Sequence, residues 1–125
     1  MGGKYLQLND IAAYKRALHI SNKVWDIVIS WDYFTKDTVG KQFARAVDSI
    51  SANIAEGFGR YHKKDKIKFY RYAFGSLKES QDWLLKAKIR NLLSQHLYDE
   101  LMKEFEQLPK DIYHLINYTN TKLSE

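Results

Sequence analysis

Apolar residues recur along the chain at intervals of three and four and seldom at two, a periodicity that predicts helices rather than strands. A first helix is expected over residues 10–30, starting at an Asn9 or Asp10 cap and presenting Ile11, Tyr14, Leu18, Val24 or Trp25, and Val28. Asn and Asp suit that cap because their side chains accept the free N–H groups of a first turn. Trp31 to Gly40 mixes aromatics, Thr, Asp and Gly and reads as an ordered connection. The second helix is expected over 41–58, with Phe43, Val47, Ile50 and Ile54 in one stripe, and with Gly57 and Gly59 closing it in the left-handed conformation. The third spans 63–91, with Tyr70, Ala73, Phe74, Leu77, Leu84 and Ala87 in register. Ser94 caps a fourth over 94–122, carrying Leu97, Leu101, Phe105, Leu108, Ile112 and Leu115. Pro109 is expected to kink or split that helix near Leu108, because proline removes a rung of the hydrogen-bond ladder.

Four amphipathic segments joined by short connections predict one all-α domain over residues 1–125, an antiparallel up-down-up-down four-helix bundle. Beside the core stripe of the second helix runs another line, Arg45, Ser49, Asn53, Glu56 and Arg60, about 100° away around the axis. The third helix repeats the arrangement with Tyr72, Ser76, Glu79 and Trp83. Antiparallel helices turning near residues 60–63 pair positions whose numbers sum to about 124, which sets Arg45 against Glu79 and Ser49 against Gly75. Arg45, Ser49, Asn53, Glu56, Gly75, Ser76 and Glu79 therefore read as a polar seam fixing helix register or an oligomer contact. Gly75, costly inside a helix, is expected where two backbones approach closely.

Charge changes this picture more than composition does. The 125 residues carry a net +5, but it is segregated: +1 over residues 1–59, +7 over 60–90 and −3 over 91–125. Arg60, Lys63, Lys64, Lys66, Lys68 and Arg71 fall within twelve positions, opposed by Asp65 alone. On a helix, Lys64, Lys68, Arg71 and Lys78 share one outward line, with Tyr61, His62 and Tyr72 nearby. Such a ladder can neutralise phosphates while aromatic rings stack on exposed bases. Arg60, Lys63, Lys64, Lys68, Arg71 and Lys78 are thus the candidate contacts to RNA or DNA. The competing reading of the same residues is a solvated face on a protein-assembly subunit.

Other chemistry finds little support. The absence of cysteine excludes disulfides and thiolate sites and suits a cytoplasmic protein. Met1-Gly2-Gly3-Lys4 leads into no apolar signal segment, and no stretch is apolar enough for a membrane span. A di-iron bundle needs Glu-x-x-His on two helices, whereas the nearest pattern, Asp111-x-x-His114, stands alone and His19, His62 and His96 have no ligand spacing. No metal, cofactor or catalytic residue is expected, since Ser49 and Ser76 lack a base and Glu56-Gly57-Phe58-Gly59-Arg60 lacks a phosphate-loop ending.

Two runs carry a resemblance. Gln42-x-x-Arg45-x-x-x-Ser49-Ile50-x-x-Asn53-Ile54-Ala55-Glu56-Gly57, followed by Ala73-x-Gly75-Ser76-x-x-Glu79, resembles the four-helix bundle proteins encoded within intervening sequences of bacterial 23S ribosomal RNA genes. The resemblance covers about residues 10–120 and implies a left-handed bundle that assembles as a ring, typically a homopentamer. It also implies no enzymatic activity, with nucleic acid as the usual proposed ligand; one relative serves as accessory subunit to the reverse transcriptase of diversity-generating retroelements. Before the second helix the chain departs from the family pattern, with Phe34-Thr35 and Val39-Gly40 where many members have Phe-Pro and Gly-Leu.

Overall fold

The computed structural model describes residues 6–122, so the Met1–Lys4 stretch lies outside the described residues. Four long helices, α1 (Ala12–Val28), α2 (Lys41–Phe58), α3 (Lys63–Ile89) and α4 (Gln95–Lys122), form the bundle. Within the bundle α1 and α3 each pack against both α2 and α4. Cross-helix pairs show the antiparallel sense: Arg16 of α1 donates to Glu104 at 2.8 Å and Asp111 at 2.7 Å, while Lys23, two turns on, meets Glu100. Between α2 and α3, Arg45 pairs with Glu79 at 3.2 Å and Lys66 Nζ donates to the Phe58 carbonyl at 2.7 Å. No helix of the described residues is long and apolar enough to cross a membrane.

The core follows the stripes with one rotation. On α2 and α4 the expected residues are buried, from Phe43, Val47, Ile50 and Ile54 to Leu101, Phe105, Leu108, Ile112 and Leu115, with Leu97 half-buried. From Ile11, just before α1, the buried line runs through Ala13, Ala17, Ile20, Val24 and Val28, while Leu18 and Trp25 are exposed. Two alanines stand on that line, and the larger Leu18 and Trp25 lie on its flanks. Phe74 is likewise partly exposed, and Ser80 is buried on the α3 core line between Leu77 and Leu84, its hydroxyl donating to the Ser76 carbonyl at 2.7 Å.

Helix ends correct several expectations. Neither Asn9 nor Asp10 caps α1: both sit in a short 3-10 turn, Leu8–Asp10, where Asp10 accepts from the Gln7 N–H at 2.8 Å. The Trp31–Gly40 connection is mostly helical. Asp32 caps it by accepting from Thr35 N–H at 2.8 Å, a turn at Tyr33–Thr35 follows, and a π-helical stretch Lys36–Gly40 runs into α2. Trp31 ties this entry to the far loop by donating its indole N–H to the Leu92 carbonyl at 2.9 Å. Gly57 and Gly59 do not adopt positive φ; Gly57 lies inside α2 and Gly59 keeps right-handed angles. The left-handed closure belongs to Asn91 (φ 60°), after α3, where the Leu92 N–H reaches back to the Ala87 carbonyl at 2.9 Å. Ser94 accepts from the Leu97 N–H at 3.1 Å as expected, but α4 continues unbroken through Pro109. Its apolar face, anchored by Leu108 and Ile112 on either side of the proline, holds the helix together across the missing rung.

Candidate functional site

The outer face of α3 is built by spacing. Lys64, Lys68, Arg71, Gly75 and Lys78 follow one another at steps of four, three, four and three, so they form one row about 21 Å long at ~1.5 Å per residue. All five are exposed. Lys68 Nζ lies 5.8 Å from the Phe69 ring centroid and Lys78 Nζ 5.4 Å from that of Phe74. Among the described residues none of the four cations pairs with a carboxylate. The row therefore keeps its charge available to an external anion.

The structure divides the six basic candidates. Arg60 is engaged at home, paired with Glu56 at 2.6 Å and stacked over the Phe69 ring at 4.5 Å. Lys63 donates to the Asn120 carbonyl at 3.2 Å, where it meets the negative end of the α4 dipole. Lys66, in the same basic run, turns inward to the end of α2, and burial holds its ammonium below the usual lysine range. Lys64, Lys68, Arg71 and Lys78 remain as the open ladder. Tyr61, 89% exposed beside its start, presents a free aromatic face with His62 edge-on at 5.0 Å. Tyr72 is half exposed and stands edge-on to Phe69 at 5.4 Å.

The polar seam is only partly a cross-helix device. Arg45 joins Glu79 across the α2–α3 boundary and also donates to Gln42 at 2.9 Å. Ser49 Oγ donates to the Arg45 carbonyl at 2.8 Å and Asn53 Nδ2 to the Ser49 carbonyl at 2.8 Å, bonds that stay within α2. Glu56 is spent on Arg60 within the same strip. Gly75 does not mark a close approach between helices: a Cβ there would meet nothing within 4 Å. It stands two residues from both Ala73 and Leu77, about 200° around the axis from those core positions, which puts it in the basic row. The close approach is made by Gly57, where a Cβ would lie 2.7 Å from the Tyr70 ring and 2.9 Å from the Lys66 carbonyl oxygen.

Beside the row, on its α4 side, lies a groove of about 320 Å³ lined by Arg71, Phe74, Pro109, Ile112, Tyr113 and Ile116. Sequence reasoning missed it because its walls come from two helices whose relative rotation periodicity does not fix. Asp111, the acid of the isolated Asp-x-x-His pattern, is occupied by Arg16, whose guanidinium is held above its ordinary pKa by that carboxylate and by Glu104. Among the described residues no three His, Cys, Asp or Glu side chains converge as a metal site.

Comparison with known proteins matches residues 9–114 to a family model described as 23S rRNA-intervening sequence protein. Among solved structures, a protein of unknown function from the S23 ribosomal protein family of Bacteroides thetaiotaomicron VPI-5482 is 18% identical and superposes with a TM-score of 0.75. The match covers 84% of this chain and 98% of that one, and at this identity it bears on the fold. No match was found among curated proteins.

Proposed function

This chain belongs to the 23S rRNA-intervening sequence protein family, and from that premise we propose that it is a non-enzymatic bundle that binds RNA or DNA through the outer row of α3. The observation that carries the reading is the exposed row Lys64, Lys68, Arg71 and Lys78, four cations with no carboxylate partner among the described residues. A solvated helix face usually sets an acid four residues from each base, and Asp82, which stands so placed between Lys78 and Lys86, is paired with Lys86. Lys64, Lys68 and Arg71 instead stand next to like charges at steps of four and three, an arrangement that an external polyanion relieves. Recognition through such a row depends on charge and shape rather than base identity, since no base-reading motif accompanies it.

A second reading, self-association or assembly with another protein, is favoured by a different observation. At the bundle end where α1 and α3 finish, Ile29, Tyr33, Phe34 and Ile89 are all more than half exposed. One experiment separates the two. Four phosphate contacts to a single strand give a slope of about −2.8 in log affinity against log salt, so affinity should fall roughly fiftyfold between ~50 and ~200 mM salt. Titration against single-stranded and structured RNA at these two salt concentrations reads it directly. Binding absent at both concentrations would remove the nucleic-acid role and leave the exposed apolar end as the functional surface.

A further inference from the structure

Arg71 belongs to two features at once, the cationic row and the wall of the α3–α4 groove. A strand held by its phosphates along the row therefore passes the mouth of that groove. The rest of the lining is apolar and aromatic: Phe74, 37% exposed, stands one turn on from Arg71 along α3, and α4 supplies the facing wall with Tyr113, 65% exposed, Ile112, Ile116 and Pro109. Among the described residues no carboxylate lines it. Lys78 Nζ, 5.4 Å from the Phe74 centroid, places a second cation at this rim. Gly75, without a side chain between Arg71 and Lys78, leaves the row open at this level. Resting on the binding role proposed above, we infer that the groove receives one unpaired base of a single strand whose flanking phosphates lie on Arg71 and Lys78. Charge complementarity selects this occupant over an apolar peptide side chain, because the cations at the rim suit a base carried on phosphates. A flat base gains from stacking on Phe74 or Tyr113, and duplex bases, already stacked, cannot enter.

The test compares oligothymidylate and oligouridylate strands of about twelve nucleotides with abasic strands of the same length and charge, in wild type and in Tyr113→Ala. Base-bearing strands should bind wild type about tenfold more tightly than abasic ones, and Tyr113→Ala should erase that preference with its salt slope unchanged. Phe74→Ala, run beside it with a check of helicity, should act in the same direction. Equal affinity for base-bearing and abasic strands in wild type, with the salt slope intact, would overturn this inference alone and leave the groove to a peptide side chain. A base preference that survives in Tyr113→Ala would place the stacked base elsewhere and also overturn it. Loss of salt-dependent binding to every strand would overturn the binding role and the groove together.

Discussion

Replacing Gly57 by alanine is expected to lower stability by about 2 kcal/mol, although alanine is the better helix former by about 1 kcal/mol. The added methyl would sit 2.7 Å and 2.9 Å from two Tyr70 ring carbons and 2.9 Å from the Lys66 carbonyl oxygen. Tyr70 is 1% exposed and the Lys66 carbonyl is backbone within α3, so neither can simply swing away. Relief requires α2 and α3 to move apart along the length over which they share the core. Gly75→Ala is the matched control, since its Cβ would enter open space, and it should raise stability by about 0.5–1 kcal/mol. Urea unfolding of both variants followed by circular dichroism measures the contrast. Two variants shifting together in the same direction would mean that helix propensity, and not the Tyr70 contact, governs position 57.

The second large effect appears in alkali. Burial pushes the Tyr70 phenol up to about 12 from its ordinary 10.0, with the Thr119 hydroxyl pulling slightly the other way. A raised native pKa means that the folded state holds its proton more tightly than the unfolded chain does. The stability tied to that proton is fully present below pH ~10 and is lost as pH rises from there to ~12, about 2–3 kcal/mol in all. Lys66 acts oppositely, because burial lowers its pKa and folding then disfavours its proton. The clean comparison is Tyr70→Phe against wild type, with unfolding free energy measured at several pH values between ~9 and ~12. Wild type should lose its advantage across that window, and parallel curves for the two proteins would show that Tyr70 titrates as it would in water.

The residues that gave away the fold were those whose effect is local. Phe43, Val47, Ile50 and Ile54 repeat at helical spacing, and a stripe of that kind faces a core whatever it packs against. Ser94 was legible for the same reason, as a cap acts within one turn. Positions decided by packing were not. Ala13 and Ala17 outrank Leu18 in the α1 interior because burial there is set by how the helix is rotated against its neighbours, and nothing within α1 announces that rotation. Gly57 and Gly75 are the same residue in similar helical settings, yet one is pressed against Tyr70 and the other faces solvent. Pro109 broke no helix because the surrounding apolar contacts hold both flanks. The basic row was readable as spacing, whereas the separation of Arg60 and Lys63 from it depends on Glu56, Phe69 and Asn120, partners that only the fold brings near.

The claim that the α3 row binds phosphates is tested most directly by the salt slope of the Lys64→Ser, Lys68→Ser double variant. Both side chains are exposed and neither is ion-paired, so stability and helicity should stay within ~1 kcal/mol and a few per cent of wild type. If each lysine neutralises one phosphate of a single strand, the plot of log affinity against log salt should flatten by about 1.4, from about −2.8 to about −1.4. Different sequences should weaken about equally, because phosphate contacts carry no base information. A folded double variant that binds with the wild-type slope would contradict the account and remove this face from the binding mechanism.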